Sequence, residues 1–104
     1  MDYQVNWSPE ALDDIDDIAA YIQKDSPLYA QAVVEQLIES SRKLQDHPYR
    51  GRVVPEINDQ RYREIFIYNF RLIYRVVGSS VDVLAVIHAA RQLEAINDRF
   101  ETIG

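Results

Sequence analysis

The chain has 104 residues, of which 47% are hydrophobic and 27% charged, and its formal net charge is −6. This length predicts one domain, spanning residues 1–104, with a core of modest size. The absence of cysteine excludes disulfides and thiolate metal sites, and no apolar stretch approaches the roughly 20 residues that a membrane helix needs. Because the first residues also lack the pattern of a secretory signal, we expect a cytoplasmic protein without membrane contact.

The first half of the chain predicts a short strand followed by two helices. Tyr3–Trp7 alternates apolar and polar residues, which is typical of a strand. Ser8-Pro9 and Ser26-Pro27 each predict a helix start, because serine caps a free N–H and proline fits the first helical position. His47-Pro48 is expected to end the second helix. The predicted apolar faces comprise Leu12, Ile15, Ile18, Ala19 and Ile22 in the first helix and Ala30, Val33, Val34, Leu37, Ile38 and Leu44 in the second.

The second half predicts three strands and a short C-terminal helix. After an irregular segment over residues 49–60, the strands are roughly Tyr62–Ile67, Arg71–Val77 and Val81–His88. Residues 92–104 carry a helical apolar edge formed by Leu93, Ile96 and Phe100. The predicted order is β-α-α-β-β-β-α, an α+β domain in which an N-terminal helical hairpin packs on a curved, mainly antiparallel sheet.

Charge is unevenly distributed along the chain. Residues 1–48 carry ten acidic and three basic side chains, whereas residues 49–91 carry seven arginines and four acidic side chains. An acidic protein is repelled at long range by nucleic acid, but a local arginine surface can still hold a phosphate or a carboxylate through bidentate contacts. If the strand register allows, Arg63, Arg71 and Arg75 gather on one outward surface. The alternative is a solubilising face whose arginines are partly paired with Glu64, Asp82 and the helix acids.

Other candidate groups are a histidine, a loop carboxylate and an aspartate cluster. His88 is followed by Arg91, so an imidazole could act as acid or base while a guanidinium stabilises an anionic phosphate; alternatively His88 is a structural hydrogen bonder. Glu56, in the irregular segment, could serve as a base. The cluster of Asp13, Asp14, Asp16 and Asp17 fits the positive end of a helix and stays solvated. We therefore expect no metal and no cofactor.

Several segments, in this order, resemble the RelE/ParE superfamily of toxins, and its ParE branch in particular. They are WSPEALDDIDDIAAYI, HPYRGRVVPEI, YREIF with YNFRLIYRV, and VLAVIHAAR. The resemblance covers roughly residues 3–91. It implies a growth-inhibiting toxin of a type II toxin–antitoxin module, held inactive by a cognate antitoxin, with which Leu93, Ile96 and Phe100 would be in contact.

The family resemblance implies one of two mechanisms. ParE-like members poison DNA gyrase through protein contact, whereas RelE-like members cut messenger RNA on the ribosome. For the endonuclease, the resemblance would assign catalytic roles to Arg63, Arg71, His88 and Arg91. The tyrosine that several ribosome-dependent members carry near the C-terminus is absent, with Asn97 near that place, and the chain lacks their richness in lysine. We therefore expect a ParE-like gyrase poison. The alternatives are a RelE-like endonuclease and a non-toxic domain that only binds an antitoxin.

Overall fold

The computed structural model describes residues 2–90, and the predicted helix over residues 92–104 lies outside this part of the chain. In chain order the elements are β1 (Gln4–Trp7), α1 (Pro9–Gln23), α2 (Pro27–Arg42), a 3₁₀ helix (Lys43–Gln45), β2 (Arg52–Val53), β3 (Tyr62–Ile67), β4 (Phe70–Val77) and β5 (Ser80–His88). The predicted α+β class is confirmed. The two-residue strand β2 lies inside the segment that the sequence indicates as irregular.

Both helices begin where the Ser-Pro pairs predict. The Ser8 hydroxyl accepts a hydrogen bond from the Ala11 N–H at 3.1 Å, and the Ser26 hydroxyl accepts one from the Tyr29 N–H at 3.1 Å. Each serine thus satisfies one of the backbone donors left free in the first helical turn. The second helix ends at Arg42, earlier than His47-Pro48 predicts, because the backbone tightens there into the 3₁₀ helix.

The five described strands form one sheet in the order β1-β5-β4-β3-β2. Strand β1 runs parallel to β5, and the other neighbouring pairs are antiparallel. Two-residue turns join β3 to β4 and β4 to β5, and the first residue of each turn has a positive φ, 54° at Tyr68 and 56° at Gly78. Glycine adopts this conformation without steric cost, whereas a tyrosine does not.

The helices cover one face of the sheet, which carries the predicted aromatic and aliphatic side chains of β4. In this core Leu72 and Tyr74 pack with Ala11 and Leu37, and all four are buried. The apolar stripes of the helices are narrower than predicted, since Leu12 is 50% and Ile38 41% exposed. Ala11, not Leu12, faces the sheet in α1, so the buried residues Ala11 and Ile15 and the partly buried Ile18 and Ile22 follow the helical spacing.

The irregular segment folds over the opposite face of the sheet, which we call the outer face. There Val54 and Ile57 pack on a second apolar cluster, whose other members are Tyr62, Ile73, Leu84, Ala85 and Ile87. Residues directly opposite in an antiparallel pair share a face. The register pairs Arg71 with Phe66 and Arg63 with Tyr74, which is in the helix-covered core. The expectation that Arg63 shares an outward surface with Arg71 and Arg75 is therefore wrong.

No helix in the described part of the chain combines the length and the apolar character needed to cross a bilayer.

Candidate functional site

Arg71 lies on the outer face in the centre of a group of charged side chains. Its Nη1 and Nη2 atoms donate to the two carboxylate oxygens of Glu56, both at 2.9 Å. Its Nε donates to Oε1 of Glu64 at 2.7 Å. This fork-to-fork contact with Glu56 is the strongest geometry available to an arginine and a carboxylate. Arg71 is 5% exposed, so the predicted surface arginine is a buried one.

Glu64 links Arg71 to a second arginine. Its Oε2 accepts a hydrogen bond from Nε of Arg52 at 2.6 Å, and its side chain has no exposed surface. Arg52 itself is 58% exposed and lies over the ring of Phe66, 5.1 Å from the centroid. We call Arg52, Glu56, Glu64 and Arg71 the ion cluster. Its two positive and two negative charges cancel, which is the condition for burying charged groups at a tolerable cost.

The electrostatic effect of the ion cluster is seen in two of its members. The hydrogen bonds from Arg71 lower the pKa of Glu56, and the carboxylates of Glu56 and Glu64 raise the pKa of Arg71. The charged forms are therefore favoured on both sides of the Glu56–Arg71 contact. A phosphate oxygen that approached Arg71 would have to displace a carboxylate that already occupies the guanidinium.

Arg63 is held on the helix side of the sheet by neutral acceptors. Its Nε and Nη2 donate to the backbone and side-chain oxygens of Gln60 at 2.9 and 2.7 Å, and its Nη1 donates to the Gly51 carbonyl at 3.2 Å. The guanidinium lies 5.0 Å from the ring centroid of Tyr49. These contacts fix Arg63 at the β2 end of the sheet without neutralising its charge.

His88 lies at the end of β5, beside a groove. Its Nδ1 accepts a hydrogen bond from the Ala90 N–H at 3.2 Å, and its ring meets the edge of Phe70 with centroids 5.8 Å apart. The groove, of about 500 Å³, runs between α1 and the ends of β4 and β5. Aspartates and tyrosines as well as aliphatic side chains line it: Asp14, Asp17, Ile18, Tyr21, Ile22, Tyr29, Asn69, Phe70, Val86, Ile87 and His88.

The described residues do not bring the candidate catalytic groups together. Arg71 lies on the outer face, whereas His88 is paired with Phe70 and shares the helix-covered face with it. Arg63 is on that face too, but its pairing partner is four residues from Phe70 along β4, about 13 Å of strand. Of the candidate catalytic groups within residues 2–90, Glu56 contacts Arg71. Arg91, like Leu93, Ile96 and Phe100, lies outside the described residues.

Two features of the site are not apparent from the sequence. Glu64 is expected as a partner of the arginines on a solvated face, but its burial becomes visible only when the register sets it diagonally to Arg71. Tyr68 is half exposed and has a positive φ. The sequence does not show this conformation, because it depends on where the two-residue turn begins. Across residues 2–90, no group of three or more histidine and acidic side chains is arranged to hold a metal ion.

The fold and the segment order agree with a known class of protein. Residues 5–93 match the sequence model of the ParE toxin of the type II toxin–antitoxin system parDE. This match covers most of the chain, so the protein belongs to the ParE toxin family, within the RelE/ParE superfamily of toxins.

Two relatives with similar sequences carry toxin names. The chain is 32% identical over 89 residues to the candidate toxin Y4kP of Sinorhizobium fredii, covering 86% of this chain and 91% of that protein. It is 34% identical over 89 residues to the toxin RelE2 of Caulobacter vibrioides, covering 85% and 97%.

Solved structures of distant sequence share the fold. A chain of the chromosomal ParDE toxin–antitoxin system from Pseudomonas aeruginosa superposes with a TM-score of 0.68 at 22% identity, covering 83% of this chain and 95% of that one. A mutant of the Escherichia coli toxin RelE in the free state gives a TM-score of 0.70 at 20% identity over the whole of both chains. At these identities the likeness extends to the fold alone.

Proposed function

We propose that this protein is a ParE-like toxin that stops growth by poisoning DNA gyrase through protein–protein contact. A cognate antitoxin encoded beside it would hold it inactive, and both partners would act in the cytoplasm. The family to which the chain belongs is defined by the toxin of a parDE system, and the resemblance attributes gyrase as the target to ParE-like members.

The observation that best supports this proposal is that two carboxylates already bind the guanidinium of Arg71. In the RelE-like endonuclease mechanism, the arginine at this position would stabilise the charge that develops on the phosphate as the ribose hydroxyl attacks. Such a group must present free donors to the substrate. Here each of the three guanidinium nitrogens of Arg71 donates to a carboxylate of Glu56 or Glu64, and the side chain is buried. Contact with a protein target requires no free guanidinium at this place, so the gyrase mechanism fits the outer face better.

The second candidate is a RelE-like, ribosome-dependent messenger-RNA endonuclease. It is favoured by the relative named RelE2 and by the fold likeness to free RelE. Arg63, Arg71, His88 and Arg91 would then be its catalytic groups, and Glu56 would have to release Arg71 and act as a base. Replacement of Arg71 would abolish RNA cleavage while the antitoxin complex survives.

The antitoxin would cover the groove beside α1 together with the C-terminal segment. The groove has apolar walls at Ile18, Ile22 and Phe70, and the segment carries Leu93, Ile96 and Phe100. Apolar side chains of this kind suit a partner that wraps an extended or helical segment around the toxin. Ending the chain after Arg91 should lower the affinity for the antitoxin at least about tenfold, because anchoring residues of an interface contribute that much. Unchanged affinity would count against this surface.

The deciding experiment is induction of the toxin alone in a bacterium that carries a reporter of the DNA-damage response. Growth arrest with a strong reporter signal is expected, because a poisoned gyrase leaves broken DNA. Growth arrest with a silent reporter would favour the endonuclease, and unimpaired growth would indicate a domain that only binds an antitoxin. Coexpression of the antitoxin is the matched control and should abolish both arrest and signal.

A further inference from the structure

Four large exposed side chains belong to the helical hairpin and to the turn between β3 and β4. Tyr21 is 73% exposed, Leu28 81%, Tyr29 42% and Tyr68 53%. The rings of Tyr29 and Tyr68 meet edge to face with centroids 5.8 Å apart, and Tyr21 and Tyr29 line the groove beside α1. We call these four residues the aromatic corner. Exposed clusters of apolar side chains mark interaction sites more often than single exposed residues do, and tyrosine is prominent among residues that dominate binding energy.

The backbone at Tyr68 gives an independent sign of function. Its φ of 54° lies in the left-handed region, at the same turn position that Gly78 occupies in the next hairpin with a φ of 56°. A tyrosine in this conformation costs free energy that a glycine would avoid. Within the described fold the Tyr68 ring makes one aromatic contact and is otherwise half in solvent, so packing does not account for the strain. Strain of this kind is concentrated at functional positions.

Charge complementarity indicates what the aromatic corner binds. The first 48 residues, which form both helices, carry ten acidic and three basic side chains. Asp17 lines the groove together with Tyr21, and Asp25 lies in the link between the helices. Lys24, a cation in the same link, lies 6.0 Å from the Tyr21 ring centroid. An apolar corner within acidic surroundings fits an apolar recess bordered by basic side chains. Proteins that bind DNA present such basic surfaces.

We propose that the aromatic corner is the surface by which the toxin contacts its target, on the positively charged DNA-binding face of the topoisomerase. This inference rests on the proposed function, since it names the contact through which gyrase would be poisoned. Tyr68 and Leu28 insert into the target, and the acidic helices face its basic border. An antitoxin that occupies the adjoining groove covers Tyr21 and Tyr29, so it neutralises the toxin by blocking this contact.

The test is a gyrase cleavage assay with purified toxin, purified gyrase and plasmid DNA. Two quantities are measured for each variant. Potency is the toxin concentration that produces half-maximal linear DNA, and stability is the urea midpoint of toxin unfolding. Tyr68→Gly relieves the strain, so its unfolding midpoint should equal or exceed that of the unchanged protein. Its potency in the assay should nevertheless fall at least about tenfold, as for a residue that dominates an interface. Leu28→Ser, at the most exposed member of the corner, should lose potency without losing stability.

Two control variants test whether a loss of potency is specific to the aromatic corner. One relieves a positive φ elsewhere, and the other removes an exposed aromatic side chain elsewhere. Asn58→Gly relieves a positive φ of 54° in the loop after β2 and should leave potency unchanged. Tyr49→Ser removes an aromatic side chain of similar exposure, 49%, outside the corner, and should also leave potency unchanged. A loss of potency in Tyr49→Ser equal to that in Tyr68→Gly would overturn the assignment to the corner.

The outcomes distinguish failure of this inference from failure of the proposed function. If the unchanged toxin produces no cleaved DNA with gyrase, the proposed function fails and this contact with it. If the unchanged toxin acts and both Tyr68→Gly and Leu28→Ser act equally well, only the corner is refuted. If Tyr68→Gly loses affinity for the antitoxin but keeps its potency on gyrase, the corner is an antitoxin surface and the proposal is overturned.

Discussion

Replacing Arg71 by methionine removes the cation that is shared by Glu56 and Glu64. Glu64 then keeps a full negative charge with no exposed surface and one remaining partner, Arg52, which is itself 58% exposed. Removing one member of a buried ion pair typically costs about 3–5 kcal/mol. Because Arg52 stays in place, we expect a loss near the lower end, about 3 kcal/mol. Against a total stability of about 5–15 kcal/mol for a domain of this size, that is a large fraction.

The assay for Arg71→Met is urea unfolding of the purified toxin followed by circular dichroism. With a urea dependence of about 1–3 kcal/mol per molar, the expected loss lowers the midpoint by about 1–3 M. Arg42→Met is the matched control, since Arg42 pairs with Glu39 on an exposed helix surface, and it should cost under about 0.5 kcal/mol. The double variant Arg71→Met, Glu64→Met removes both buried charges and should recover more than half of the loss.

The same variant would refute the structural role of Arg71 if it kept its stability and lost its activity. The ion cluster predicts that Arg71→Met unfolds more easily but still poisons gyrase at a temperature at which it is folded. If Arg71→Met unfolds at the same urea concentration as the unchanged protein and no longer arrests growth, Arg71 acts on a substrate. That result would favour RNA cleavage and contradict the structural role of Arg71 in the ion cluster.

Three further predictions follow from the surroundings of the ion cluster. Gly51→Ala should destabilise the fold, because the added Cβ would lie 2.6 Å from the Glu64 carbonyl oxygen and 2.8 Å from the Tyr74 hydroxyl; thermal unfolding measures it. Tyr74→Phe should cost about 1–3 kcal/mol in urea unfolding, because the buried Gly51 N–H loses its acceptor at 3.0 Å. Arg71 lowers the pKa of Glu56 from 4.5, so stability present at neutral pH is lost as the pH falls below about 4.5. Glu56→Gln should flatten that dependence, and an unchanged pH profile would contradict it.

The sequence predicts most of the fold because its local signals agree with one another. The Ser-Pro pairs mark both helix starts, and period-two alternation marks β3, β4 and β5 to within a residue or two. What it does not predict is which residues of α1 face inward. Leu12 and Ala11 are neighbours, and the choice between them depends on how the helix packs on the sheet, which no local pattern specifies. The same holds for β2, whose two residues are too few to show alternation.

The site is less predictable, because it depends on register. A shift of one residue moves a strand's side chains to the opposite face, so whether Arg63 joins Arg71 cannot be inferred from either strand alone. Glu56 is correctly placed beside a cation, but as the partner of Arg71 in an ion pair. Glu64 is expected as a partner of the arginines, and it pairs with Arg71 and Arg52. Its burial has no sequence signal, because a buried acid in a strand resembles a surface acid until its partners are known.

The pairing of charges explains why a protein target is more consistent with this chain than a nucleic acid. Among residues 49–90 the four acidic side chains, Glu56, Asp59, Glu64 and Asp82, are each within ion-pair distance of an arginine, and these pairs engage four of the six arginines present. The cationic half of the chain is thus largely neutral, while the acids of the helices remain in excess. Direct binding of a polyanion would have to overcome this excess, whereas association with a basic protein surface gains from it. Added salt should therefore weaken binding to the target by screening an attraction, rather than strengthen it by screening a repulsion.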